Sequence, residues 1–349
     1  MDNNYHRHSR LINEFIDMTS LDLNNICVLT EAATGDYWVT PIMAAMAGAH
    51  VIAYAKDNDY ASANESITFV RSFAKQFNVE NKINFTTKLT PALINQADIV
   101  TNIAALRPIN KGFIQHLKKT AVIPLMYESW EFRNADLDLQ ECERREILAM
   151  GVNESHERLP VFKNVQMLIL KMLFENNFEV YNNKFLLVGN DKFADNFEYI
   201  LKKCGTIVIK GSAWELSNNI QNYEKIDAVI IAEYTNPDTI ISDTGIIKTD
   251  DIKKFLPGAL IINFSGNIDT LALNRQGILC YPKENTGNFK MAETFSYLGI
   301  EPVLELMGAG LKVGEVMHRN RLKFDYKNAK TECLKYFLCQ NLNTENTTL

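Results

Sequence analysis

Two polar clusters in the first half of the chain carry groups suited to acid–base work and anion binding. The stretch Tyr127-Glu128-Ser129-Trp130-Glu131-Phe132-Arg133 directly follows Val122 to Met126, which reads as a strand, and Asn153-Glu154-Ser155-His156 follows later. An imidazole ionises near working pH, so His156 beside carboxylates suits proton transfer, with Glu128 as the other acid–base candidate. Arg133 completes the catalytic set, because a guanidinium holds a carboxylate or phosphate with charge-assisted bonds. Each has an ordinary alternative: Glu128 and Glu131 as solvated loop residues, His156 as a helix cap. A third polar loop, Thr30 to Tyr37, sits between a strand and a helix. Thr34, Gly35, Asp36 and Tyr37, with Glu131, Asn153 and Glu154, are the expected substrate-binding residues, a capping loop being the alternative for the first four.

The second half offers phosphate chemistry. The run Gly189-Asn190-Asp191-Lys192-Phe193-Ala194 follows a predicted strand and fits the first and last positions of the dinucleotide pattern G-x-G-x-x-G/A. Asp191 replaces the second glycine, bringing bulk and negative charge to where a backbone normally approaches a pyrophosphate. The next strand ends Ile209-Lys210-Gly211-Ser212 without the acidic residue that grips an NAD ribose. Lys210 and Ser212 are therefore expected either to receive a 2′-phosphate, which favours NADP, or to be a solvated strand end. Asn263, Ser265 and Gly266 close another predicted strand and join Gly189, Asn190, Asp191, Lys210 and Ser212 as expected cofactor contacts. Gly308-Ala309-Gly310-Leu311-Lys312-Val313-Gly314 imitates a phosphate loop, but too little chain follows it. The expectation there is a close helix contact at a domain interface.

The elements that position these groups alternate. Ile26–Leu29, Val51–Tyr54, Ile83–Thr86, Ile99–Asn102 and Val122–Met126 read as strands, with helices predicted from Pro41 to Gly48 and from Ser62 to Phe77. A second series contains strands Phe185–Val188, Thr206–Ile209, Ala228–Ala232, Ala259–Asn263 and Ile278–Tyr281, with a helix over Ala194–Cys204. This predicts an α/β fold of two Rossmann-like, doubly wound parallel-sheet domains joined by a long helix. The expected divisions are a substrate domain at 1–157, an interdomain helix at 158–182, a nucleotide-binding domain at 183–300, a helical segment at 301–335 packing back on the first domain, and a flexible tail at 336–349.

Composition narrows the classes. The 349 residues are 46% hydrophobic and 22% charged with a net charge of -6, globular and without a basic run, so no nucleic-acid partner is expected. No apolar run approaches the roughly 18 residues of a membrane span, and the polar N-terminus lacks a signal-peptide core. A cytoplasmic protein without a membrane partner is expected. The six cysteines form no CxxC pair and none sits beside a histidine at zinc-ligand spacing. They read as reduced thiols, and no metal is expected.

One family resembles this layout. Pro108 to Phe113, Asn134, Asp136 and Asp138, Arg145, and Gly151 to Asn153 follow in order. Asn236-Pro237-Asp238-Thr239, then Asp250 to Gly266 with its Pro257-Gly258-Ala259 turn, and Asp269 to Leu273 continue the order. Over about residues 95–280 the chain resembles the two-domain D-2-hydroxyacid dehydrogenases, the formate and glycerate dehydrogenases among them. The resemblance implies a small-molecule substrate in an interdomain cleft, NAD or NADP, and a homodimer. It also exposes departures. Ser265 stands where the family places a catalytic Arg, and the late catalytic His has no counterpart between Gly277 and Gly299. The leading expectation is an NAD(P)-dependent oxidoreductase acting on a small polar, anionic metabolite. The alternatives are a non-redox lyase or hydrolase that retains NAD, resembling S-adenosylhomocysteine hydrolase in its hinged pair of domains, and a ligand-binding protein with a decayed dehydrogenase site.

Overall fold

The computed structural model describes residues 4–342. The chain divides into two compact units, Met1–Val161 with Gly299–Leu349, and Phe162–Leu298. The first is built on parallel strands β1 (Cys27–Glu31), β2 (His50–Tyr54), β3 (Ile83–Thr86), β4 (Ile99–Val100), β5 (Val122–Pro124) and β6 (Leu148–Val152). Their order is β6-β5-β4-β1-β2-β3, and the short strand Cys339–Gln340 adds antiparallel to β6. The sheet is doubly wound: the chain leaves β1 toward β2 on one side and returns to β4 on the other. β1, β5 and β6 are almost wholly buried, as parallel strands covered on both faces must be.

Local chemistry fixes the covering helices. Ser62 and Glu65 form a reciprocal capping box that starts the helix Ala63–Gln76. Trp38 stacks on Phe73 of that helix at 3.9 Å between ring centres. The helix Tyr5–Thr19 buries Leu11, Ile12, Phe15 and Thr19 along one stripe, a pattern that the polar first ten residues conceal.

The helix Ile300–Arg321 is buried nearly all round, which a helix central to a unit requires. Its glycines work inside the first unit, which corrects the expected interface role. A Cβ on Gly308 would lie 2.3 Å from the Phe15 ring, and one on Gly314 would lie 2.8 Å from Ile99. The helix's buried charges are matched: Lys312 pairs with Glu315 at 2.8 Å and donates to the Ser20 carbonyl at 2.8 Å. His318 contacts the Thr120 carbonyl at 3.1 Å, and burial lowers its pKa.

The second unit holds β7 (Lys184–Val188), β8 (Ile207–Gly211), β9 (Ala228–Ala232), β10 (Thr239–Ser242), β11 (Ile247–Lys248), β12 (Leu260–Ser265), β13 (Asn267–Ile268) and β14 (Cys280–Tyr281). One parallel sheet runs β14-β12-β9-β7-β8, and a small parallel sheet runs β11-β10-β13. The helix expected over 158–182 is shorter, Val165–Glu175. Pro160 disfavours helix upstream, and Asn177 in the left-handed region at φ 54° ends it downstream. The tail expected at 336–349 also differs: Cys339 and Gln340 pair with Val152 and Gly151, and Gln340 accepts from the Ser129 amide at 3.0 Å. The rest of that tail, 343–349, lies outside the described residues. All six cysteines are free thiols. Among the described residues no helix is long and apolar enough to cross a membrane.

Gly308→Ala gains about 1 kcal/mol of helix propensity but forces a methyl onto the buried Phe15 ring. Overpacking costs about 1–3 kcal/mol, so the expected result in a urea titration is a lower midpoint. A raised midpoint would show that the contact relaxes freely.

Candidate functional site

In a doubly wound sheet, ligands enter at the carboxyl edge where the strand order reverses. In the second unit that point lies between β7 and β9. Gly189 follows β7 with φ +144°, and a Cβ there would lie 2.1 Å from the Ala232 carbonyl oxygen of β9. Only glycine lets the chain cross so close to the neighbouring strand. The crossing leads into the helix Lys192–Lys203, with Asn190 exposed and Asp191 as its N-cap.

Asp191 is half-buried and heavily engaged. Its Oδ1 accepts from the Ala194 amide at 3.0 Å and its Oδ2 from the Tyr234 amide at 3.3 Å. Burial pushes its carboxyl up to about 6, against the amides of Ala194, Tyr234 and Phe193 that favour its charge, and Glu233 adds to the rise. Glu233, in the loop after β9, is itself raised by burial and accepts from Asn236 at 3.3 Å.

The remaining expected cofactor contacts are occupied within the unit. Lys210 bonds Asp195 at 2.6 Å and Glu198 at 2.8 Å. Ser212 forms a capping box with Glu215. Ser265 donates to the Lys290 carbonyl at 2.6 Å, so its hydroxyl is directed at backbone. Asn263 donates to the Gly266 carbonyl at 3.0 Å while its Oδ1 is buried without a partner. Gly266, at φ +146°, donates its amide to the Gly287 carbonyl.

In the first unit the parallel order places the segments after β1, β4, β5 and β6 on one carboxyl edge. Glu128 is fully buried; Trp130 Nε1 donates to it at 2.5 Å and Ser155 Oγ at 2.9 Å. Arg133 grips Asp136 at 2.7 Å, and Arg107 approaches the same carboxylate at 3.4 Å. Both guanidinium groups lie over the Tyr127 ring, at 5.2 Å for Arg107 and 5.9 Å for Arg133. Asn102 links the group, donating to Tyr127 Oη at 3.0 Å and accepting from Arg107 Nε at 3.0 Å. Burial pushes the Tyr127 phenol up to about 12, so it stays a neutral donor.

The expected residues fall into separate groups. Glu128 meets Ser155, whereas His156 turns to the C-terminal segment. Its ring packs on Phe337 at 4.5 Å and its Nδ1 accepts from the Arg158 amide at 3.2 Å. That bond uses the Nδ1 lone pair, leaving Nε2 protonated in the neutral ring, which suits a donor better than a base. Asn153 donates to the Phe337 carbonyl at 3.1 Å, and Glu154 is buried. Thr34 precedes the turn Gly35–Trp38, which contains Asp36 and Tyr37, with Gly35 at φ +66°. Glu131 ends the turn Ser129–Glu131. Sequence reading misses Asn102, Arg107, Tyr127 and Asp136 as one cluster. The signal available is position: Asn102 and Tyr127 each lie just past the end of a parallel strand.

Two doubly wound parallel units define a two-domain Rossmann-like chain. No family model and no curated protein sequence matches it. Solved structures do. A dipicolinate synthase polypeptide from Bacillus halodurans is 9% identical with a TM-score of 0.51, over 86% of this chain and 99% of that one. A protein from Ralstonia solanacearum, provisionally named a D-3-phosphoglycerate dehydrogenase oxidoreductase, is 10% identical with a TM-score of 0.50, over 87% and 98%. The resemblance read from the sequence is borne out as a shared fold.

A carboxyl whose pKa is raised on folding binds its proton more tightly in the folded chain. Stability therefore rises as pH falls through the folded value, here about 6. Between about pH 7 and about pH 5 the wild type should gain on the order of 1 kcal/mol relative to Asp191→Asn. Paired denaturant titrations check this; a constant difference between the two proteins would show that Asp191 titrates as an ordinary carboxylate.

Proposed function

We propose that the chain is an oxidoreductase that uses NAD to exchange hydride with a small, anionic metabolite. The observation that carries this reading is the Gly189 crossing at the reversal point of the second sheet, the position where such sheets take dinucleotides. The name of the Ralstonia solanacearum neighbour as a dehydrogenase points the same way. We favour NAD over NADP because Lys210 is committed to Asp195 and Glu198. The glycine cradle fits a pyrophosphate, but the amides around it are engaged by Asp191 and must be freed first. When bound, the reduced nicotinamide would supply the hydride that reduces a carbonyl.

The substrate end of the proposal lies on the carboxyl edge of the first unit. Arg107 and Arg133 converge there on the Asp136 carboxylate as one cluster. It would hold a substrate carboxylate or phosphate. The Nε2–H of His156 would hydrogen-bond a developing alkoxide, whose proton then comes from solvent. Glu128, fixed by Trp130 and Ser155, would keep that edge polarised. Binding without turnover is the second reading, favoured by Ser265, whose hydroxyl is spent on the Lys290 carbonyl.

The test follows reduced nicotinamide by absorbance against a panel of 2-oxo acids and phosphorylated acids. The expected result is turnover with one group of anions. Arg133→Ala should then raise KM about tenfold or more, because a charge-assisted contact contributes roughly 1.5–3 kcal/mol. His156→Ala should lower kcat by about 10²-fold. NAD binding without oxidation or reduction of any substrate would favour the second reading. Wild-type kinetics in both folded variants would place the chemistry elsewhere.

A further inference from the structure

The cradle at the start of the Lys192–Lys203 helix already holds an anion that belongs to the chain. Amides from both sides of the reversal point converge on it: Ala194 from the helix at 3.0 Å and Tyr234 from the loop after β9 at 3.3 Å. The Phe193 amide bonds the same carboxylate. Free amides at a helix N-terminus are the groups that a pyrophosphate would use. We propose that Asp191 is an internal competitor for dinucleotide phosphates, a latch across β7 and β9 that must release these amides before the ligand can enter. This rests on the reading that the second unit takes a dinucleotide.

The surroundings agree. Glu233 faces Asp191 from the β9 loop and carries like charge. The cations nearby in the chain are committed: Lys210 at the end of β8 pairs with Asp195 and Glu198, and Lys192 lies over the Phe162 ring at 5.8 Å. No lysine in that set is left to offset a second anion beside an ionised Asp191. Asn263 adds an independent observation. It is fully buried at the end of β12, next to β9, and its Oδ1 lacks any donor. That oxygen lies 3.6 Å from where a Cβ on Gly266 would sit, beside Ile231 and Glu233. A buried, unmatched acceptor at this edge suits an N–H supplied by a ligand.

Release is easier for a neutral carboxyl than for a carboxylate, because protonation removes both the charge-assisted bonds and the repulsion. Ligand entry should therefore take up one proton, and the raised Asp191 carboxyl, at about 6, places that uptake close to neutrality.

The experiment is calorimetric titration of the full chain with NAD, and separately with inorganic pyrophosphate, at about pH 8 and about pH 5.5. Wild-type affinity for both should rise about tenfold or more at the lower pH. Asp191→Asn should bind NAD with little pH dependence, and Asp191→Gly should bind more tightly than wild type at the higher pH. If all three proteins bind NAD equally and with the same pH profile, the latch is wrong and the dinucleotide reading stands. If none binds at either pH, Asp191→Gly included, the dinucleotide reading fails and the latch falls with it.

Discussion

The amides that open the Lys192–Lys203 helix and the amide of Tyr234 share one acceptor, the Asp191 carboxylate. That convergence organises the carboxyl edge of the second sheet. It needs β7 and β9 in close register, which the Gly189 crossing permits. It also orients the loop after β9, where Tyr234 is buried with its ring 5.3 Å from Phe193 and 5.9 Å from Phe289. A helix N-terminus with unmet amides is costly unless something accepts from them. Here a side chain does what a bound phosphate does in other sheets of this kind, at the cost of burying part of a charge.

The first unit repeats the device with guanidinium groups in place of amides. Arg107 and Arg133 converge on Asp136 over the Tyr127 face. Half-buried cations need a counter-ion, and the chain supplies it. Both carboxyl edges are thus organised around internal charges placed where ligands bind in doubly wound folds. The proposed chemistry follows from exchanging internal for external anions at these two places.

Much of the scaffold is legible in the sequence. Parallel strands buried on both faces leave unbroken apolar runs, so Ala228–Ala232 can be read to its ends. The helix Tyr5–Thr19 escapes such reading because its stripe begins only at Leu11, behind polar residues. The glycines of Ile300–Arg321 announce close packing, but their partners, Phe15 and Ile99, lie nearly three hundred and more than two hundred residues away in sequence. The site is less legible still. In sequence Asp191 looks like a defect in a phosphate loop, and only the backbone shows that its side chain turns back to cap the helix. His156 looks like a base, but the Arg158 amide and Phe337, which set its role, are matters of local turn and distant contact. Arg107 carries no motif. Its partner Asp136 becomes visible only when the segments after β4 and β5 stand side by side.

The central claim is that Asp191 is a partly buried, displaceable anion at the reversal point of the second sheet. Carbon-detected NMR of side-chain carboxyls, with Asp191→Asn used for assignment, measures this directly. The account predicts a midpoint near 6 for Asp191 in the free chain, moving upward when NAD is added, as the carboxyl leaves its amides and meets the ligand's phosphates. A midpoint near about 4, the ordinary value for an aspartate, that NAD leaves unchanged would contradict it.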